Sequence, residues 1–203
     1  MKRNTAHPAI RAYIRKTLDF IGDSDPVALL RSNPARVARA VKGLTPTQLQ
    51  KRPRPGKWSI QEILGHLADC EAAFAWRFRR ALGEPGSPVY GFDQERWAAA
   101  FHYQRIPAKR SLANYVSGRA ATLTAIEFAG PRARAKAGIM HSERGREPFD
   151  HLCRMAAGHD LNHLSQIQAI RKKFGWGAKR RRAAAKPARP SAAKRGAKSR
   201  RTR

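Results

Sequence analysis

The chain has 203 residues, enough for one domain of ordinary size, and its apolar share of 41% can supply a hydrophobic core. No stretch approaches the roughly 18 consecutive apolar residues of a membrane-spanning helix, so we expect a soluble protein without a membrane partner. The net charge of +28 would favour a nucleic-acid-binding protein if it were evenly spread. It is not, because residues 178–203 hold 12 basic and no acidic residues, which leaves +16 for residues 1–177.

The cysteines and the N-terminus indicate a cytoplasmic protein. Cys70 and Cys153 are too few for a secreted disulfide scaffold and too far apart for a CxxC motif. The basic start resembles a signal peptide, but Arg11, Arg15 and Asp19 interrupt any apolar region. We therefore expect the N-terminal segment to remain on the mature protein.

The chain divides into three parts on its sequence pattern. Residues 1–24 form an N-terminal extension with apolar residues at helical spacing, from Ile10 to Ile21, which predicts an additional amphipathic helix. Residues 25–177 form the folded domain. Residues 178–203 contain no large apolar side chain that would offset the entropy of ordering them, so this basic tail is predicted to be disordered.

Helical periods and their capping residues dominate the central part. Ser59 and Glu62 form a capping box, Gly130 and Pro131 end a helix, and Asp93 can cap a short helix. Strand-like alternation is almost absent. The pattern predicts an all-α four-helix bundle, with long helices at about 26–42, 60–82, 108–128 and 148–174.

Three histidines are candidate metal ligands. His159 and His163 lie four residues apart, in the middle of the apolar stripe of the fourth long helix, while His66 lies at the edge of the stripe of the second. A buried histidine is more often a core residue hydrogen-bonded to a carbonyl or carboxylate, and HxxxH alone is a weak motif. Two imidazoles on one face and a third on a facing helix nevertheless predict a three-nitrogen site.

Other polar residues face the same core. Cys70, beside His66, is open to three interpretations: a fourth ligand, a reactive thiol, or a small buried apolar residue, which is the commonest. Glu71 and Arg119 both point inward, and we predict that they pair, since an unpaired buried charge costs several kcal/mol. The alternative is that Arg119 extends its charge to solvent at the end of the bundle.

The motifs K-W-S-I-Q-E-I-L-G-H-L-A-D-C-E (57–71) and G-H-D-L-N-H-L-S-Q-I (158–167) together resemble the DinB-like (YfiT) superfamily of metalloenzymes. Gly91-Phe92-Asp93, the segment from Arg119 to Thr122, and His141 with Gly145 are also similar, so the resemblance covers about 25–176. It implies a four-helix bundle with a divalent metal ion, zinc or nickel, held by His66, His159 and His163.

The resemblance further implies an enzyme of the thiol-transferase type, with a low-molecular-weight thiol as co-substrate, or a hydrolase. No catalytic residue is evident. Gln166 lies near the predicted site in sequence, and so does Asp160, which we expect either in solvent or supporting a ligand. The alternative hypothesis is a non-catalytic protein that contacts nucleic acid nonspecifically through its basic tail. The substrate and homodimerisation stay open.

Overall fold

A computed structural model describes residues 7–176, so residues 1–6 and the basic tail predicted at 178–203 lie outside the described range. The part described contains eight helices and three short strands. The helices are α1 (Pro8–Asp19), α2 (Pro26–Val41), α3 (Pro46–Gln50), α4 (Ile60–Gly83), α5 (Gln94–Ala100), α6 (Ala108–Phe128), α7 (Gly130–Lys136) and α8 (Phe149–Lys173). The long helices α2, α4, α6 and α8 form the predicted four-helix bundle.

Local capping fixes where the central helix begins. The Ser59 hydroxyl accepts a hydrogen bond from the Glu62 amide at 3.2 Å, and the Glu62 carboxylate accepts one from the Ser59 amide at 2.8 Å. This is the predicted capping box, which satisfies two amides that the first turn leaves free. Arg52 adds a side-chain hydrogen bond to Glu62 at 3.1 Å, so the box also ties α4 to residues 52–56, the Pro-rich link that precedes it.

The core has two apolar clusters, and α4 and α8 contribute to both. The first includes Leu30, Phe74, Phe78, Ile126, Leu152 and Ala156. The second includes Val37, Ile63, Leu67, Tyr115, Leu164 and Ile167. Along α8, His159 and His163 fall between residues of the first cluster and residues of the second, whereas His66 of α4 lies between Leu64 and Leu67, which both belong to the second.

A small sheet was not predicted. Its strands are β1 (Ser87–Val89), β2 (Gly138–His141) and β3 (Gly145–Pro148). β1 pairs with β2 in parallel and β2 with β3 in antiparallel, in the order β1-β2-β3. Strands of three or four residues are too short to show an alternating pattern. The sheet orders the loop after α4 and the segment before α8.

The predicted N-terminal helix is α1, and it packs directly on α8. A Cβ atom added at Gly158 would lie 2.2 Å from the carbonyl oxygen of Thr17, so the two backbones touch at this point. Arg154 also donates to the Gly22 carbonyl at 3.2 Å. α1 therefore lies beside the histidines of α8. Within residues 7–176, no helix is both long and apolar enough to span a bilayer.

Candidate metal centre

The structure brings the three predicted histidines together. α4 presents His66, and α8 presents His159 and His163 one turn apart. The ring centroids of His66 lie 5.1 Å from His159 and 4.7 Å from His163, and the two α8 rings are 4.5 Å apart. The Nε2 atoms of His66 and His159 approach to 3.0 Å.

Burial keeps these imidazoles neutral. Their exposed fractions are 1% for His66, 7% for His159 and 6% for His163. Desolvation lowers the pKa of His66 to about 2 and that of His163 to about 4, and it holds the pKa of His159 well below its usual value. Neighbouring imidazoles add to the effect at His66 and His159. Unprotonated ring nitrogens are therefore present at neutral pH.

The hydrogen bonds around the rings leave nitrogen atoms available for an ion. Gln166 Oε1 lies 3.1 Å from His163 Nδ1, which places the proton on Nδ1 and the lone pair on Nε2. His159 Nδ1 is buried with no hydrogen-bond partner within the described residues. Neutral imidazole nitrogens of this kind suit zinc, nickel and similar divalent ions. The residues present therefore fit a metal ion.

Cys70 lies within the same cluster. Its sulfur is 3.4 Å from His66 Nε2, and the potential ligand atoms of His66, Cys70 and His159 all lie within 4.8 Å of one another. Burial raises the pKa of Cys70 well above that of an ordinary thiol, so the group stays protonated unless an ion displaces the proton. His66, Cys70 and His159 thus form the group whose ligand atoms lie within 4.8 Å of one another, whereas His163 adjoins it by ring-centroid distances of 4.7 Å to His66 and 4.5 Å to His159.

Two cavities flank the histidines. One, of about 680 Å³, is lined by His159, His163 and Gln166 and opens between α8 and the Pro-rich link. The other, of about 370 Å³, is lined by His66, Cys70 and His159 and extends toward the sheet. Four residues line both cavities: Tyr13, Gln94, Glu95 and His159. The imidazole of His159 can therefore be approached from two sides.

Side chains that the sequence pattern did not single out complete the walls. The Trp58 ring lies 4.8 Å from the His66 ring, and its indole Nε1–H donates to Glu95 at 3.2 Å. Trp58 could have been suspected because it precedes the capping residue Ser59. Tyr13 comes from α1, and no signal in the sequence placed it near the histidines.

A buried ion-pair network lies behind the cluster. The predicted pair is confirmed, since Arg119 Nε donates to Glu71 Oε2 at 2.7 Å. Arg119 also donates to both carboxylate oxygens of Asp160, at 2.7 and 3.3 Å. Asp160 is 2% exposed, so the expectation that it lies in solvent was wrong. The error arose because a single-helix projection does not show the neighbouring helices: Asn33 of α2 donates to Asp160 Oδ2 at 3.3 Å.

Residues 29–167, well over half of the chain, match the model of the DinB superfamily. The chain belongs to the DinB superfamily. Among its DinB relatives, a protein of Geobacillus kaustophilus is 26% identical over 150 residues, which are 74% of this chain and 84% of the relative. YfiT of Bacillus subtilis is 24% identical over 157 residues, with the same coverage. Both are named as candidate metal-dependent hydrolases.

The solved structure of Bacillus subtilis YfiT has the same fold. It covers 87% of this chain and 94% of its own, with a TM-score of 0.68 and 19% identity, and it is described as a four-helix bundle of unusual topology. The DinB match includes His66, His159, His163 and Cys70, whereas Tyr13 lies before it. The wall that α1 adds to both cavities is therefore outside the matched DinB region.

Proposed function

We propose that this DinB protein is a divalent-metal-dependent enzyme that acts on a small molecule, with His66, His159 and His163 as the metal ligands. The observation that carries the proposal is the convergence of three neutral, buried imidazoles, with ring centroids 4.5 to 5.1 Å apart, beside a cavity of about 680 Å³. The names of the relatives, which describe metal-dependent hydrolases, support the same reaction class.

A zinc or nickel ion, when bound, supplies Lewis acidity that lowers the pKa of a water or thiol at its open position. The protein's own side chains do the rest. Gln166 holds the His163 ring by its Nδ1–H, and the Trp58 ring packs against the His66 ring with their centroids 4.8 Å apart. Both actions fix ligand orientation, which tunes metal affinity.

The two cavities support a reaction between two molecules. They share His159, so an electrophilic substrate and a low-molecular-weight thiol can each reach the same centre through a cavity of its own. We therefore propose thiol transfer as the specific activity, with hydrolysis as the outcome when water takes the place of the thiol.

Metal binding is the first test. The full-length protein, stripped of metal and titrated with zinc and with nickel, should bind one ion per chain, measured by calorimetry and elemental analysis. His66→Ala, His159→Ala and His163→Ala should each weaken binding strongly, while Cys70→Ser separates a sulfur ligand from a neighbouring thiol. His102→Ala, at an exposed position, is the control. Equal affinity in wild type and all three histidine variants would contradict the site.

Activity is the second test. The metal-loaded protein should be incubated with an electrophile panel in the presence and absence of cysteine-derived thiols, and the products identified by mass spectrometry. A thioether product that requires the metal supports thiol transfer. A product that carries a hydroxyl from water, independent of added thiol, supports hydrolysis instead.

A further inference from the structure

Arg77 of α4 is a buried cation without an acidic partner. It is 6% exposed, and its one hydrogen bond in the structure runs from Nη2 to the carbonyl oxygen of Tyr90 at 2.9 Å. No carboxylate lies within ion-pair distance of it in the described part of the chain. Arg119, by contrast, is buried between the carboxylates of Glu71 and Asp160.

The surroundings of Arg77 make the site more positive. Arg144 lies nearby, and its charge adds to burial in lowering the pKa of Arg77. The nearby carboxylate of Glu147 is already held by Arg144, with hydrogen bonds of 2.6 and 3.0 Å. Arg144 therefore holds this carboxylate, and Arg77 is left without a counter-ion among the described residues.

Arg77 and Arg144 both line the cavity of about 370 Å³ that also contains His66, Cys70 and His159. Three carboxylates line this cavity too, but all three residues are exposed: Asp93, Glu95 and Glu143. Asp93 caps α5 by accepting the amides of Glu95 and Arg96 at 3.0 Å, and Glu95 accepts the indole N–H of Trp58.

We propose that Arg77 binds the carboxylate of a small-molecule substrate or co-substrate in this cavity. A buried charge is costly unless it is paired, and a guanidinium fork matches a carboxylate through two parallel hydrogen bonds. Because Arg77 lines the cavity with His66 and Cys70, a molecule anchored there extends toward the histidine cluster. This inference rests on the proposed function, since it names a substrate class for the same centre.

The cavity walls indicate the rest of the ligand. Phe74, Phe92 and Met155 line the same space, and the Arg77 guanidinium lies 5.6 Å from the centroid of the Phe74 ring. An apolar body with one carboxylate matches both features. The cavity of about 370 Å³ limits that body to a small molecule. Benzoate has this chemistry, and benzamide is its neutral counterpart of nearly the same shape.

Binding of these two probes to the full-length, metal-free protein tests the inference by calorimetry or ligand-observed NMR at low ionic strength. Benzoate should bind at least about tenfold more tightly than benzamide, because the carboxylate adds a charge-assisted hydrogen-bond pair. Arg77→Met should remove this preference. Arg79→Met, an exposed arginine two residues further along α4, should leave it unchanged.

Arg77→Lys provides a second variant if Arg77→Met does not fold. It keeps the positive charge but loses the guanidinium fork, so it should bind benzoate more weakly than wild type. Equal binding of benzoate and benzamide to the wild type, or wild-type benzoate affinity in a folded Arg77 variant, would overturn the inference. Zinc titration of the same samples separates the two proposals. If the protein prefers benzoate to benzamide but does not bind zinc, only the carboxylate site is supported. If it binds zinc but shows no preference for benzoate, only the metal site is supported.

Discussion

Arg119 and Asp160 join α6 to α8 through a buried ion pair, with Arg119 Nη1 2.7 Å from Asp160 Oδ2. Asp160 directly follows the candidate ligand His159. On its other side, Arg119 contacts Glu71 of α4, which directly follows Cys70. One guanidinium therefore connects the two helices that carry the three histidines, and it fixes their register relative to each other.

Replacing this guanidinium should destabilise the whole fold. In Arg119→Met, Glu71 and Asp160 are left as buried carboxylates without their cation, and we expect the free energy of unfolding to fall by about 3 to 5 kcal/mol. Urea unfolding followed by circular dichroism measures this change. Arg31→Met removes the exposed pair with Glu127 and should cost less than about 1 kcal/mol. A similar loss in both variants would show that the buried pair has no special role.

Metal affinity should depend on the residue that orients His163. Gln166→Ala removes the acceptor 3.1 Å from His163 Nδ1, so the ring can rotate and its tautomer is no longer fixed. We expect about 10- to 100-fold weaker zinc binding, measured by competition with a chelator dye. Gln168→Ala, on the same helix but outside the 680 Å³ cavity, is the matched control. Unaltered affinity in Gln166→Ala would argue that His163 is not a ligand.

The sequence was sufficient to predict the four long helices from their apolar residues at helical spacing. Capping residues also mark the start of α2 and α4, whereas α6 and α8 begin without a side-chain cap. The sequence was also sufficient to predict that Glu71 and Arg119 pair, since both interrupt an apolar stripe. The position of Asp160 was not predictable in the same way. On a helical wheel, Asp160 lies outside the apolar face of α8. Its burial depends on how α2 and α6 pack around that helix.

Contacts between distant segments explain the other differences. Tyr13 reaches the cavities because Gly158 lets α1 pack against α8, and a helical period in α1 cannot reveal where that helix docks. The strands β1 and β2 pair across about 50 residues and are too short to leave a pattern. The role proposed for Arg77 emerges only from the structure, in which no carboxylate of residues 7–176 lies within ion-pair distance of it.

The contact between α1 and α8 should be sensitive to one methyl group. In Gly158→Ala, the new Cβ would meet the Thr17 carbonyl oxygen at 2.2 Å, and a backbone atom cannot rotate away. We expect a loss of about 1 to 3 kcal/mol in the free energy of unfolding and faster tryptic cleavage within α1. Gly83→Ala, where a Cβ has open space and an ordinary φ, should be neutral. If trypsin cleaves α1 no faster in Gly158→Ala than in wild type, this packing is contradicted.

The basic tail gives a prediction that rests on its sequence alone. If its 12 basic residues neutralise about 6 to 10 phosphates, nonspecific DNA affinity should fall roughly 10³- to 10⁵-fold between 50 and 200 mM salt. Deletion of residues 178–203 should abolish this binding in a gel-shift assay. Unchanged binding after the deletion would assign the contact to the remaining chain, whose charge is still +16.

Acid should destabilise the protein partly through His141. This residue is 1% exposed, its Nδ1 accepts the Glu143 amide at 3.2 Å, and burial with the charges of Arg144 and Arg77 lowers its pKa to about 4. Between pH 6.5 and 4, the unfolded chain binds a proton at His141 that the folded chain does not, so stability falls as pH falls. One such group contributes up to about 1.4 kcal/mol per pH unit.

His141→Asn keeps an acceptor for the Glu143 amide and removes the titration. The free energy of unfolding of this variant should therefore fall less steeply than that of wild type between pH 6.5 and 4. The difference between the two proteins should be constant above pH 7.5, where His141 is neutral in both states, which provides an internal control. Parallel stability curves across the acidic range would show that His141 does not contribute to the loss.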